Sequence, residues 1–228
     1  MRFRRAGAEA GSGCGGRALR ADAARNRDAI LTQARQMFAT GGLGVSLEEV
    51  AARAGVGIGT LYRRFPSRSS LIAAALGDKL AEYASVAAEA LAAADPWAGF
   101  CEFVQRSCEL QAGNRGLAEL LMMTLPAEAG IERIRQEADA RISALIERAK
   151  ATGQLRPDFA YPDLALLLMA TAGVMHLLGP DAPDAWRRFL GLAVHGVREP
   201  GSADLPGPPT MAQLATAMQR IAAEHGCA

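Results

Sequence analysis

Residues 46–66 constrain the fold of this chain more than any other segment, because they carry the start and stop signals of two short helices. Ser46 is a favourable N-cap residue, and Glu49 three positions later completes the sequence pattern of a capping box. Gly55 can adopt the left-handed conformation that ends a helix. Pro66 ends the second helix, since the residue before a proline is pushed out of the α region. We therefore predict two short helices joined by a tight turn.

The buried side of this helix pair is made of apolar and small residues at helical spacing. The predicted core residues are Leu47, Val50, Ala51, Ala54, Val56 and Leu61. Ala51 is small at the point where the two helices must approach each other closely. These features are typical of a helix-turn-helix, although an ordinary helical hairpin with a glycine in its turn has the same buried side.

The rest of the sequence favours an all-α protein. Half of the residues are hydrophobic and only 5% are aromatic, and alanine and leucine dominate. We predict an N-terminal three-helix helix-turn-helix domain followed by a larger helical bundle. The expected organisation is a disordered basic arm (1–21), the helix-turn-helix domain (22–70), a helical domain (71–198), a linker (199–209) and a C-terminal helix (210–228).

Charge is divided unevenly along the chain. Residues 1–71 hold 12 arginines and five acidic residues, whereas residues 72–228 hold 13 basic and 19 acidic residues. A basic segment joined to an acidic remainder predicts a polyanion-binding module on a body that does not bind polyanions. A solvated basic tail is the alternative interpretation.

The second short helix carries the polar residues that such a module needs. The exposed residues on it are predicted to be Thr60, Tyr62, Arg63 and Arg64. Hydroxyl and guanidinium groups contact phosphates and base edges in protein–DNA complexes. A helix this short is not stable in isolation, which favours a binding role for its exposed surface.

The stretch from Ser46 to Leu71, SLEEVAARAGVGIGTLYRRFPSRSSL, resembles the signature of the tetracycline-repressor (TetR) family of transcription regulators. The resemblance lies in Ala-Gly-Val, then Gly-Thr-Leu-Tyr, then an aromatic residue at Phe65 and a basic residue at Arg68. It covers residues 23–71 strongly, and the rest of the chain only in the number and length of its helices. It implies a ligand-responsive cytoplasmic repressor that binds a palindromic operator in double-stranded DNA as a homodimer.

The resemblance also implies roles for individual residues. The implied DNA contacts are Ser46, Gly57, Gly59, Thr60, Tyr62, Arg63, Arg64 and Arg68. Arg63 would be the leading base reader, and Arg68 would grip a phosphate where the family usually has lysine. Ser46 would cap the second helix and touch a phosphate. Gly57 departs from the Ser or Thr that the family often has, which predicts a weaker cap on the third helix.

For the domain at residues 71–198 the resemblance implies an effector site and a dimer interface. The expected effector region, for a small molecule that the sequence does not identify, contains Trp97, Phe100, Cys101, Val104, Met122, Met123 and His176. The expected interface contains Leu168, Ala172, Met175, Trp186, Phe189, Leu190 and Val194. Core packing within one subunit is the alternative for both sets, since apolar stripes at helical spacing are more often core.

Other classes of function find no support in the sequence. The three histidines complete no Glu-x-x-His pair, and no Cys-x-x-Cys, phosphate loop or nucleophile elbow occurs. We therefore expect no enzyme, no metal and no cofactor. The uncharged run at residues 164–180 is expected to be a buried helix rather than a membrane span. A helix-turn-helix that acts mainly as a protein-interaction module is the remaining rival.

Overall fold

The computed structural model describes residues 14–123, 125, 128–179, 181–198 and 205–226, and within these ranges the chain is all-α, as predicted. The helices are α1 (Cys14–Gly41), α2 (Leu47–Arg53), α3 (Ile58–Arg64), α4 (Arg68–Leu91), α5 (Pro96–Ala112), α6 (Arg115–Leu121), α7 (Ala129–Ala151), α8 (Tyr161–Leu178), α9 (Ala185–Val197) and α10 (Met211–Glu224). One isolated β-bridge joins Leu155 to Arg198. We call α1 to α3 the head and α4 to α9 the body.

The head forms the predicted pair of short helices. The Ser46 hydroxyl accepts a hydrogen bond from the Glu49 N–H at 3.2 Å and thereby starts α2. Gly55 follows α2 with a φ of +70°. The second half of the predicted capping box is wrong, because the Glu49 carboxylate instead accepts from Arg53 at 2.7 Å. The Ser46 hydroxyl donates to Glu48 at 2.8 Å, so Ser46 fills both of its hydrogen-bonding roles locally.

Helix α1 is longer than predicted. It begins at Cys14 rather than near Arg25, so residues 14–21 of the expected disordered arm are helical. Residues 1–13 of that arm lie outside the described residues, as do residues 199–204 of the expected linker. The C-terminal helix runs from Met211 to Glu224, as its apolar period predicts.

The body is built around α4, which packs against both α5 and α7. Aromatic rings fill the centre, where Phe100 meets Phe159 edge-on at 5.6 Å and stacks on Trp97 at 5.7 Å between ring centroids. Helix α8 packs against α5 and α9. By length and composition α8 could also cross a membrane, with a mean hydropathy of 1.4. A single such helix is a weak indication. Only 28% of this span is buried in the subunit, so the prediction of a buried helix is correct for one side of α8 only.

The loop of residues 42–46 fastens the head to the body. Gly42 has a φ of +76°, and a Cβ added there would lie 2.3 Å from Oε1 of Glu119 in α6. Glycine is favoured here because another residue would be strained at this positive φ, and its Cβ would displace the Glu119 carboxylate from its present position. Oε2 of Glu119 accepts a hydrogen bond from the Leu43 N–H at 2.7 Å. The loop that leads into α2 is therefore held by a side chain of the body.

Candidate nucleic-acid interface

Helix α3 presents one polar face away from the rest of the chain. Leu61 is fully buried and anchors the helix in the head. Successive helical residues are about 100° apart around the axis, so Gly59 and Arg63, two positions before and after Leu61, lie on the opposite side. Tyr62 is 45% exposed beside them. We call Gly59, Thr60, Tyr62, Arg63 and Arg64 the α3 face.

The two arginines of the α3 face are available to a ligand. Both are exposed, and within the described residues neither forms an ion pair or a side-chain hydrogen bond. Arg53 on α2 differs, because its guanidinium pairs with Glu49. Free guanidinium groups on an exposed helix suit phosphate oxygens and the O6 and N7 atoms of guanine. The chemistry of the α3 face is therefore that of a DNA-reading surface.

The start of α3 is open and carries no side-chain cap. Gly57 is the N-cap residue and supplies no side-chain hydrogen bond, as its identity predicts. A Cβ added at Gly57 or at Gly59 would meet no atom within 4 Å. The backbone at this end of the helix is thus unobstructed, and a duplex can approach it closely.

Arg68 has a structural role that the sequence did not indicate. Its Nη1 donates to the carbonyl oxygens of Leu43 and Val45, at 2.8 Å each. Arg68 of α4 therefore holds the loop before α2 together with Glu119 of α6. A phosphate contact from its remaining N–H groups stays a prediction.

A cavity of about 190 Å³ lies in the body beneath α10. Its walls come from α4, α6, α7, α8 and α10 and are mostly apolar, with Leu80, Leu121, Leu164, Leu214 and Met218 among them. We call it the α10 cavity. It has the mixture of apolar walls and a few polar groups that is typical of small-molecule sites.

The polar end of the α10 cavity is formed by α7 and α8. The Tyr161 hydroxyl donates to Oδ1 of Asp139 at 2.6 Å. Burial raises the pKa of the Asp139 carboxyl, and this hydrogen bond opposes the rise. Arg135 is more than nine-tenths buried, and its Nη2 donates to the Leu120 carbonyl at 2.8 Å. Its Nε is buried without a hydrogen bond in the described residues, and its nearest acidic partner is Oε2 of Glu132 at 4.0 Å.

Comparison with known proteins identifies the family. Residues 30–75 match the bacterial regulatory proteins of the tetR family, and residues 95–199 match the C-terminal domain of SbtR-like transcriptional regulators. A TetR transcription regulatory protein from Mycobacterium vanbaalenii is 30% identical, over 79% of this chain and 99% of that one, with a TM-score of 0.45. The chain belongs to the TetR family. It is therefore a DNA-binding, ligand-responsive transcriptional regulator, and its family is regulatory rather than enzymatic.

Other solved TetR-family structures are similar as well. The regulator SCO0520 from Streptomyces coelicolor is 30% identical over 77% of this chain and 99% of that one, with a TM-score of 0.49. The regulator FadR from Bacillus subtilis, solved in complex with stearoyl-CoA, shares the fold at 16% identity and a TM-score of 0.55. That match covers 75% of this chain and 99% of FadR. No curated protein matches the sequence.

The structure of this TetR-family regulator divides the predicted effector residues among several places. Trp97, Phe100, Val104 and Met123 are buried in the hydrophobic core. Met122 lines the α10 cavity, whereas Cys101 and His176 line two other cavities. The predicted set is thus not one site, because residues at core spacing on α5 pack against α4, α7 and α8 rather than around an opening.

The predicted dimer residues of the regulator are also divided. Leu168, Trp186 and Leu190 are only 4 to 6% exposed and belong to the subunit's own core, which corrects their assignment to an interface. Ala172, Met175, Phe189 and Val194 are half-buried. The exposed apolar residues of these two helices include Leu166, Leu177 and Leu192, at 45, 75 and 58% exposure. On α8, Ala170 and Gly173 lie between Leu166 and Leu177. We call these four residues, together with Leu192 of α9, the α8–α9 face.

Sequence reasoning missed the polar residues of the α10 cavity, although one signal was present. Arg135 occupies the apolar stripe of α7, since Ile131, Ala138 and Ile142 on the same side are buried. A charged residue within a buried register requires a partner or a ligand. Asp139 and Tyr161 gave no such signal, because their hydrogen bond joins two helices.

Proposed function

We propose that this regulator binds a palindromic operator as a homodimer and leaves it when a small molecule occupies the α10 cavity. It would then act as a cytoplasmic repressor. The observation that carries the proposal is the α3 face, where Arg63 and Arg64 are exposed, directed away from the core and without an ion pair to any described residue. In a two-fold dimer, two such helices enter successive major grooves of the duplex.

The rival function, a helix-turn-helix that mainly binds another protein, is not favoured. Protein-binding surfaces are enriched in buried aromatic and aliphatic anchors. The α3 face instead presents two guanidinium groups, two hydroxyl groups and an open glycine. Groups of this kind match the phosphates and base edges of DNA.

Sequencing of captured genomic fragments tests operator binding by the full-length regulator. We expect enrichment of fragments that share one inverted repeat, with half-sites about one helical turn apart. Gel-shift titrations on that repeat should show affinity falling steeply with salt while the preference for the repeat persists. Fragments without a shared repeat would reduce the regulator to a general polyanion binder.

The charges around the α10 cavity indicate the chemical class of the effector. Arg135 has an N–H that forms no hydrogen bond in the described residues and lies 4.0 Å from Glu132, and Glu132 and Asp139 in the same cavity wall disfavour an additional carboxylate. We propose a largely apolar, uncharged molecule with one hydrogen-bond acceptor, such as a ketone or an ester. The stearoyl-CoA bound to FadR of Bacillus subtilis shows that a TetR fold accepts a ligand with a long apolar chain.

Displacement of the neutral fluorophore N-phenyl-1-naphthylamine tests the effector class. We expect 2-octanone to displace it at concentrations about tenfold or more below those of octanoate, a difference of about 1.4 kcal/mol. Arg135→Met should remove the advantage of 2-octanone over octane, because it deletes the donor and keeps the apolar volume. Operator DNA should weaken 2-octanone binding by the factor by which 2-octanone weakens operator binding. Displacement by octanoate as strong as by 2-octanone would rule out an uncharged effector.

A further inference from the structure

Helix α10 joins the α10 cavity to the head. We infer that Glu119 positions the head for operator binding. We further infer that His225, through its contact with Glu119, links the position of Glu119 to whether α10 is packed over the cavity. The inference rests on the operator binding proposed above. It assigns to the C-terminal helix a signalling role that its sequence did not reveal.

The first step is that α10 is the wall most easily displaced. Its Met211, Leu214 and Met218 line the cavity, and Leu214 and Ala222 are buried. Even so, among the described helices α10 is the least closely packed against its neighbours. The cavity of about 190 Å³ is smaller than the ~300 Å³ at which pockets for drug-sized ligands begin. An effector larger than about 190 Å³ must enlarge the cavity, and the displacement of α10 is the least costly way to do so.

The second step is the contact between the end of α10 and the body. Nε2 of His225 lies 3.4 Å from Oε2 of Glu119. Nδ1 of the same ring lies 2.8 Å from the Ile221 carbonyl oxygen, which only accepts hydrogen bonds, so Nδ1 carries a hydrogen. The ring therefore lies between the Ile221 carbonyl oxygen and the Glu119 carboxylate and contacts both. Seating of α10 thus places the His225 ring against the Glu119 carboxylate.

The third step is the hydrogen bond by which Glu119 holds the head. Its Oε2 accepts from the Leu43 N–H at 2.7 Å, and its Oε1 accepts from Arg115 at 2.8 Å. Arg68 of α4 donates to the Leu43 carbonyl oxygen at 2.8 Å. The loop of residues 42–46 is therefore clamped between α4 and α6, and Ser46 at its end starts α2. Any shift of the Glu119 carboxylate changes the position at which the helix-turn-helix leaves the body.

These contacts form one continuous chain from the cavity to the head. An effector lifts α10, His225 leaves Glu119, and the carboxylate loses one of the contacts that hold it in place beside Leu43. The head then samples orientations in which the two α3 faces of a dimer no longer match successive grooves. Glu119 touches no DNA in this scheme and acts only as a positioning residue.

Leu214→Asn tests the link without an effector, because a polar amide in place of the buried leucine unseats α10. We expect operator affinity to fall about fivefold or more, within the usual range of allosteric coupling. Hydrogen exchange, measured by mass spectrometry on the full-length protein, should become faster in residues 42–46 as well as in α10.

His225→Ala should also lower operator affinity and speed up exchange in residues 42–46. In a Glu119→Gln background the effect of Leu214→Asn on operator affinity should disappear, as a double-mutant cycle detects.

Arg220→Ala is the matched control on α10, since Arg220 is exposed and pairs with Glu224 one turn away. It should leave operator affinity and loop exchange unchanged. The link is overturned if Leu214→Asn accelerates exchange in α10 while operator affinity and exchange in residues 42–46 stay at wild-type values. If the wild-type protein binds no operator, the proposed function fails by itself. Loop exchange then decides the link, since faster exchange supports it and unchanged exchange overturns it.

Discussion

Replacement of Arg63 by alanine is expected to lower operator affinity by about 10- to 100-fold and to relax the base preference at one position of each half-site. Arg63 lies opposite the buried Leu61, and its guanidinium is exposed and unpaired within the described residues. We therefore expect it to be the side chain of α3 that reaches deepest into a groove. A bidentate contact with guanine contributes about 1–3 kcal/mol of discrimination. Titration of the operator and of single-base variants measures both effects.

Arg64→Ala is the informative comparison, because the neighbouring residue carries the same charge on the flank of the α3 face. It should weaken binding to all sequences alike and reduce the salt slope by about one. Arg133→Ala, which removes an exposed arginine of the body, should change neither property. A uniform loss on every sequence from Arg63→Ala would show that Arg63 contacts phosphate and that another residue reads the bases.

The double substitution Leu177→Asp with Leu192→Asp is expected to convert a dimer into monomers and to lower operator affinity by more than about 100-fold. Both leucines are exposed on the α8–α9 face. Burial of a leucine contributes about 1.5–3 kcal/mol, and each substitution occurs twice in a two-fold interface. The aspartates also place four carboxylates close together in an apolar contact. Sedimentation velocity measures the assembly state, and gel-shift titration measures the loss of operator binding.

Leu205→Asp is the matched control, since Leu205 is a comparably exposed leucine outside α8 and α9. It should leave both the dimer and the operator affinity unchanged. If the doubly substituted protein stayed dimeric, the subunits would associate through another surface and the α8–α9 face would require a different explanation.

The head could be predicted from sequence because its signals are local. Ser46, Gly55 and Pro66 act on the backbone within a few residues of themselves, and the structure has α2 and α3 where these residues place them. The errors in the head concern side chains with a choice of partners. Glu49 pairs with Arg53 instead of returning to the N-cap, because an i,i+4 arginine lies within its reach.

The site in the body could be predicted only in part because its contacts are distant in sequence. A helical period identifies which side of a helix is buried, but not which helix or subunit covers it. Leu166 and Leu168 illustrate this, since the first is exposed on the α8–α9 face and the second is in the core. Glu119 illustrates it further, because its partner Leu43 belongs to another domain and no local pattern marks the pair.

The position of the cavity between a fixed body and one loosely packed helix has a practical consequence for engineering. Only Met211, Leu214, Ala215 and Met218 of α10 face the opening. Of these, Met211, Ala215 and Met218 can be varied in a library without altering the buried Leu214 or any residue of the α3 face. Selection from such a library should yield transcriptional biosensors with new chemical specificities that share one unchanged promoter.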